Sequence, residues 1–491
     1  MVEQDRCLHH MNYVTYGFQV LSELGVAIPK SSSREETMKL ILRTQSMLNG
    51  ITDETLLCYH ILSDYKKVMA IKFLAKLETS INQTNPALQP FITIKIIQLT
   101  IEHGMSPMSA IGFAYFGGMI AELGDIRGGC RYTKLAKALL DKNKCNEIAG
   151  ELLFLSTELL SYIEPLQVTN EYRIQGQAIA LAAGDIHWAC MNKLGFTGTL
   201  MWSGANLSGV KEAFINAGNV SHNQIVVGLI CLQFYRVKTS HYISRFQFST
   251  EHDHRTSLYY IKTFDQTIAR LVEGETLSDD QLTRSVIENK NPYQLLIVCF
   301  YKMFLSVVFN NYDEMKQSAE LFFKFRMPSW YLLTGHAVHA FIGGLASFRI
   351  FRETRDPLWA QRGIHFKERM KTWKDQGSAW NFENKSFLLE AEECYSNGNG
   401  ERAQVMYENA ISSAQQHRFI QEEALAYELA ANYNLNTGNK FLALKYFTCA
   451  HGAYLRWGAF AKVKSLYTFL QEQFQLVVPT GVDGVVKETN G

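Results

Sequence analysis

The sequence predicts an all-α protein built as a stacked α-α solenoid, and three observations carry that reading. Apolar residues recur at helical spacing along most of the chain, with no convincing alternating run. Only nine of 491 residues are Pro, fewer turn-formers than a heavily looped all-β fold needs. A segment near the C-terminus repeats itself 40 residues on, from Ala391 to Ala431 and from Gly398 to Gly438.

The elements follow in order. Val26–Pro29 ends a first element, and Ser31, Ser32 and Ser33 ahead of Glu35 and Glu36 give the cap and early acids of a helix, Glu35–Asn49. Asp53 opens a helix expected to run unbroken to Glu78, until Asn85, Pro86 and Pro90 interrupt it. Helices then come in pairs: Phe91–His103 and Met108–Leu123, Arg131–Asp141, Glu147–Ile163 and Val168–Ala183, with turns at Gly124-Asp125 and Gly184-Asp185. The β-branched run Phe91–Thr100 also suits a strand. Ile186–Leu194 starts a helix that Gly195, Gly198 and Gly204 are expected to open into a loop. Helical spacing resumes at Leu207–Asn216 and Asn223–Arg236, and Thr239–Thr256 reads as a polar loop. Helices are expected again at Ser257–Leu271, Asp279–Glu288, Tyr293–Phe309, Tyr312–Phe325, Tyr331–Arg349 and Ala360–Lys374. The clearest are Asn384–Tyr395, Glu401–His417, Gln421–Leu435 and Lys440–Leu455, followed by Ala459–Gln471 and a Gly-bearing tail from Val477. Four units are expected: an N-terminal helical segment over 1–89, a divergent array over 90–380, C-terminal repeats over 381–473 and a disordered tail over 474–491.

Composition sets the class. With 47% apolar and 19% charged residues, the chain can bury a large core. Its 48 Lys+Arg against 47 Asp+Glu give no basic field, so nucleic acid is not an expected partner. Lys367, Arg369 and Lys371, interrupted by Glu368, read as a solvated helix face. Nine Cys, none in a C-x-x-C pair, read as reduced, buried thiols of a cytoplasmic protein. Met1–His10 lacks the basic start and apolar stretch of a signal peptide. Gln294–Phe309, broken by Lys302, and Gly335–Phe351, holding His336, His339 and Arg349, fall short of a clean span. Both read as buried helices, and no membrane partner is expected.

The repeat is the strongest signal. Besides the pairs above, Asn399 matches Asn439, Ala403 matches Ala443, Ala410 matches Ala450, and Tyr407 matches Phe447 as a bulky aromatic. Antiparallel helices pack closely only where small residues face each other, and Ala at fixed offsets supplies them. Gly-Asn is read as ending the first helix of each hairpin. One hairpin cannot bury its apolar face alone, so copies must stack. The pattern resembles a tetratricopeptide-like α-α superhelix.

A more specific resemblance lies in Phe419–Ala431 and Ala453–Val463, together with Ala410–Ala414. These stretches resemble the helical repeat region of very large signalling ATPases. Those combine a protein kinase, an AAA-type ATPase, this array, a GAF domain and a sensor histidine kinase. The resemblance is weaker upstream, from about Gly112, and extends over much of the chain from about residue 90. It implies a scaffold in signal transduction whose partner is a protein or peptide, such as an ATPase or kinase module. The chain lacks a G-x-x-x-x-G-K-[ST] loop and the H-R-D and D-F-G pair, so the family's catalytic activities are not carried over to it. The alternative is a fragment of a kinase/ATPase signalling enzyme whose catalytic domains lie elsewhere, or a cryptic nucleotide-binding protein.

Candidate chemical groups are few. His252-Asp253-His254, flanked by Glu251 and Arg255 with His241 nearby, lacks a third ligand at convincing spacing and reads as a polar loop. His336 and His339 share a helical face and read as core histidines. Gly124, Gly128 and Gly129 mark a hairpin turn, because Asp125 would repel a phosphate. Gly198, Ser203, Gly204 and Asn206 could form a small polar pocket. Tyr454, Trp457 and Gly458 are expected to dock the last repeat, with Lys462 facing solvent. No catalytic residue, metal ligand or cofactor is assigned.

Overall fold

The computed structural model describes residues 14–29, 33–213, 292–324 and 333–474. A helix over 14–23 leads into α1 (Arg34–Asn49), α2 (Asp53–Leu57), α3 (Tyr65–Thr84), α4 (Gln89–His103), α5 (Ser109–Glu122), α6 (Ile126–Asn143), α7 (Asn146–Leu160), α8 (Leu166–Ala182) and α9 (Ile186–Trp202). Beyond lie α10 (Pro292–Val308), α11 (Tyr312–Phe322), α12 (Leu333–Thr354), α13 (Pro357–Gln376), α14 (Ala379–Ser396), α15 (Gly400–Gln416), α16 (Ile420–Asn436), α17 (Lys440–Trp457) and α18 (Phe460–Phe474). Each packs chiefly against its neighbours in sequence, as in a stack of helix hairpins. The expected segments Asn223–Arg236, Thr239–Thr256, Ser257–Leu271 and Asp279–Glu288, and the tail from Val477, lie outside the described residues, as do His9 and His10.

One local device makes six of the reversals. A residue in the left-handed region ends a helix, and the Asx residue after it caps the next. At Gly398 (φ 78°) and Asn399, the Asn side chain accepts from Arg402 N; at Gly438 (φ 88°) and Asn439, it accepts from Leu442 N. Gly124-Asp125, Gly184-Asp185 and Asn310-Asn311 repeat the arrangement, and so does Arg355-Asp356, which the sequence did not reveal. The Asn thus starts the second helix rather than finishing the first. Its oxygen satisfies an amide that the first helical turn leaves without a partner. The first helices carry the same chemistry in another form: Ser33 and Glu36 make a reciprocal capping box at the start of α1.

The repeat alanines do what close packing requires. Ala391, Ala403, Ala431, Ala443 and Ala450 are fully buried, with Ala410, Tyr407 and Phe447 beside them in one core. Two cores run through the described residues. One joins residues from Val14 to Leu153, and the other joins Ala121–Val210 to α10–α18.

Two expectations are corrected, and a third is borne out. The helix from Asp53 breaks after Leu57, because residues 58–64 are drawn into an extended contact: Leu62 N donates to Met105 O and Met105 N to His60 O. Asp64 then caps α3. Gly195 and Gly198 do not open a loop but lie inside α9. A Cβ at Gly195 would fall 2.6 Å from the Arg173 guanidinium, so the glycine serves a close helix contact. The β-branched run over 91–100 is helix, with Pro90 in the first turn of α4, where its missing N–H costs nothing.

Candidate functional site

The second core is threaded by α10. From Leu296 to Val308 this helix is buried on nearly every face, Lys302 and Val307 being half-buried. A helix that is apolar all round must be enclosed on all sides. Phe300 meets Trp202, Phe322 and His339, and Phe304 meets Trp202 with ring centroids 5.1 Å apart. At its C-terminal end Phe309 lies under the Lys462 ammonium of α18, at 5.8 Å. The helix therefore reaches from α9 to the last hairpin.

Around it the C-terminal helices are tied by buried ion pairs. Arg352 of α12 meets Glu392 Oε2 of α14 at 2.6 Å, and Tyr407 Oη of α15 donates to Glu392 Oε1 at 2.5 Å. Lys385 of α14 meets Glu422 Oε2 of α16 at 2.7 Å, and Asn384 donates to the same oxygen. Lys462 of α18 meets Glu428 Oε1 of α16 at 2.6 Å, while Tyr454 Oη of α17 donates to Glu428 Oε2 at 2.7 Å. Burial works against the Arg352 charge, yet Glu392 beside it holds its pKa above the ordinary value. Burial raises the Glu422 carboxyl and lowers the Lys385 ammonium despite their pairing. Burial and the adjacent carboxylates push Tyr407 and Tyr454 well up. Each pair bridges different helices, so these charges hold the helices in register. A related pair, Arg173 and Glu158, joins α8 to α7, with the guanidinium over the Phe154 ring.

The candidate groups fall into place individually. Lys462 does not face solvent: it is 3% exposed and ends in the pair just described. Helical spacing puts Lys462 near the last hairpin but cannot show that Glu428 waits there. Trp457 and Tyr454 are fully buried, and Gly458 (φ 87°) stops α17. Gly198 lies within α9, and Ser203, Gly204 and Asn206 follow its C-terminal end. They form a joint: Asn206 Nδ2 donates to Arg456 O, Gln421 Nε2 to Trp202 O, and Gln167 Nε2 to both Ser203 O and His417 O. Asn381 extends the joint, donating to Ser161 O and Glu164 O and accepting from Leu166 N. Gly124 is a turn, and Gly129 meets Gly117 across the α5–α6 crossing. His339 is buried against Phe300 and Phe322, and burial followed by His336 lowers its pKa well below the ordinary histidine value. Lys367 pairs with Glu393 and Arg369 lies over Trp373, so that face is only partly solvated. Cys58 is exposed and Cys145, Cys190 and Cys449 are half-buried, whereas Cys130, Cys299 and Cys394 are buried as expected. Burial pushes Cys130 up to about 12 and Cys299 up to about 11, far from a reactive thiolate at neutral pH. The His252-Asp253-His254 group, with His241, lies outside the described residues. Among the described residues, no three His, Cys, Asp or Glu side chains gather as they would to hold a metal, and no helix is long and apolar enough to cross a membrane.

No family model matches the chain, and no curated protein matches it. The structure defines an all-α protein of consecutively packed helix hairpins, which is coarser than the tetratricopeptide reading.

The ion pairs are what the sequence concealed. A weak signal exists: Glu392 lies four residues after Leu388, and Glu428 four after Ala424, so both carboxylates fall on the stripe that helical spacing assigns to the core.

Proposed function

We propose that this chain is a non-catalytic helical-repeat scaffold of the tetratricopeptide-like kind. On this reading it mediates protein–protein or interdomain contacts in signal transduction. The observation that supports it is how the buried charges are used. Glu392, Glu422 and Glu428 each meet a cation, and that partner lies on a different helix in every case, so they stiffen the stack rather than converge on a reacting atom. Because α10 fills the space among the C-terminal helices, a partner would meet the outer helices, where Val405 and Phe441 are exposed. An ATPase or kinase module is the partner that the sequence resemblance favours.

Capture of the full chain with chemical cross-linking is expected to return a reproducible partner with cross-links on α15 and α17. Repeated capture that yields no specific partner would count against the scaffold. In parallel, ATP binding and hydrolysis by the purified chain are expected to be absent, and saturable ATP turnover would overturn the non-catalytic reading.

A further inference from the structure

Glu392, Glu422 and Glu428 each meet a cation, but a buried acid of the N-terminal core does not. Glu78 of α3 is fully buried, and its neighbours one turn away, Leu74, Ala75 and Ile81, belong to the apolar core. Thr93 of α4, itself fully buried, donates from Oγ1 to Glu78 Oε1 at 2.5 Å. Glu78 Oε2 is buried without a hydrogen-bond partner. Among the described residues, no Lys or Arg forms an ion pair with Glu78. Lys72, on the same helix, is paired at the surface with Glu147 of α7, 3.0 Å away.

The groups that face Glu78 do not supply the missing charge. Thr93 and Gln89 come from α4, and both are neutral. Glu151 comes from α7 and is a second acid, 8% exposed, which accepts from Tyr115 Oη of α5 at 2.6 Å. The turn over 86–88, which also packs against α3, holds Pro86, Ala87 and Leu88. An ionised Glu78 would therefore sit in an apolar core with a like charge nearby and an oxygen that nothing bonds. Burying a charge on those terms costs far more than burying a neutral carboxyl group.

We propose that Glu78 is a proton-operated latch: its neutral carboxyl group keeps α3, α4, α5 and α7 packed together, and losing the proton loosens that packing. Burial raises the Glu78 pKa well above its ordinary value; the Thr93 bond opposes that rise, Glu151 adds to it, and Gln89 opposes it least. When the hairpins open, Glu78 returns to the ordinary value of about 4.5. Below that pH both states hold the proton, and the contribution to stability is complete. It falls as pH rises from there through the raised native pKa, with opening favoured by up to about tenfold per pH unit, and levels off above it. The latch is independent of the scaffold reading, since partner capture and pH-dependent opening succeed or fail separately.

The test is native-state hydrogen exchange of the full chain between about pH 5 and about pH 9, where exchange reports equilibrium opening and each rate is corrected for intrinsic exchange. Amides of α3 and α4 are expected to lose protection as pH rises, by up to about tenfold per unit. Glu78→Gln keeps an acceptor for Thr93 and cannot ionise, so it is expected to lose most of that dependence. Glu78→Met, apolar and of similar length, is expected to do the same and serves where the Gln variant fails to fold. Glu151→Gln removes the like charge, so the loss of protection is expected to level off at a lower pH than in the native protein. Protection of native α3 and α4 that does not change with pH, an equal dependence in the native chain and the Glu78 variants, or a Glu151→Gln profile that levels off at the same or a higher pH would each overturn the proposal.

Discussion

Replacing Lys462 with Met keeps most of the side chain and removes its charge. In the native protein the Lys462 ammonium is buried, 2.6 Å from Glu428 Oε1 and 5.5 Å from the Tyr454 ring. The other Glu428 oxygen accepts from Tyr454 Oη. Lys462→Met therefore leaves a carboxylate inside the α16–α18 contact with a phenol as its remaining partner in that network. Removing one member of a buried pair costs about 3–5 kcal/mol. Adding Glu428→Gln removes the stranded charge and keeps an acceptor for Tyr454, so the double variant is expected to regain more than about half of the loss. A stacked array opens locally, so the assay is native-state hydrogen exchange of amides in α16 and α17. A single variant that costs less than about 1 kcal/mol, as a surface pair would, refutes the reasoning.

Two further outcomes follow from the same packing. His339 is buried with its pKa lowered, chiefly by burial, so the unfolded chain takes up a proton that the native state resists. Stability contributed by the neutral ring is complete above about pH 6.5 and declines as pH falls below it, with a slope of up to about 1.4 kcal/mol per unit. Thermal melts across pH 5–8 should show a shallower decline in His339→Phe, and identical profiles would remove His339 as the cause. Gly438→Ala places a Cβ in open space at φ 88°, so its cost is conformational alone, about 1–2 kcal/mol. Hydrogen exchange at the α16–α17 turn measures it, and an unchanged rate would mean that the left-handed geometry does not restrain the turn.

Local features of the fold were legible because they depend on neighbouring residues. Gly398-Asn399 and Gly438-Asn439 mark their turns through backbone freedom and a side-chain cap, both local effects. Arg355-Asp356 performs the same reversal with an Arg at φ 57°, and no residue-type rule points to it. Gly195 shows the converse. Its type favours a loop, but the guanidinium of Arg173, 22 positions earlier, requires a residue without a side chain inside α9.

The sequence by itself determined that the chain is helical, where most helices begin and end, and that small residues near the C-terminus face each other. Spacing and capping act within a few residues, and a linear pattern records them. Only the tertiary structure decided that α10 lies enclosed among the C-terminal helices, that Lys462 is paired inside the protein and that Asn381 and Asn206 join distant hairpins. Those outcomes arise because burying charge and amide groups is tolerable only where a complementary partner arrives from another helix, and that arrival is set by the packing of the whole array.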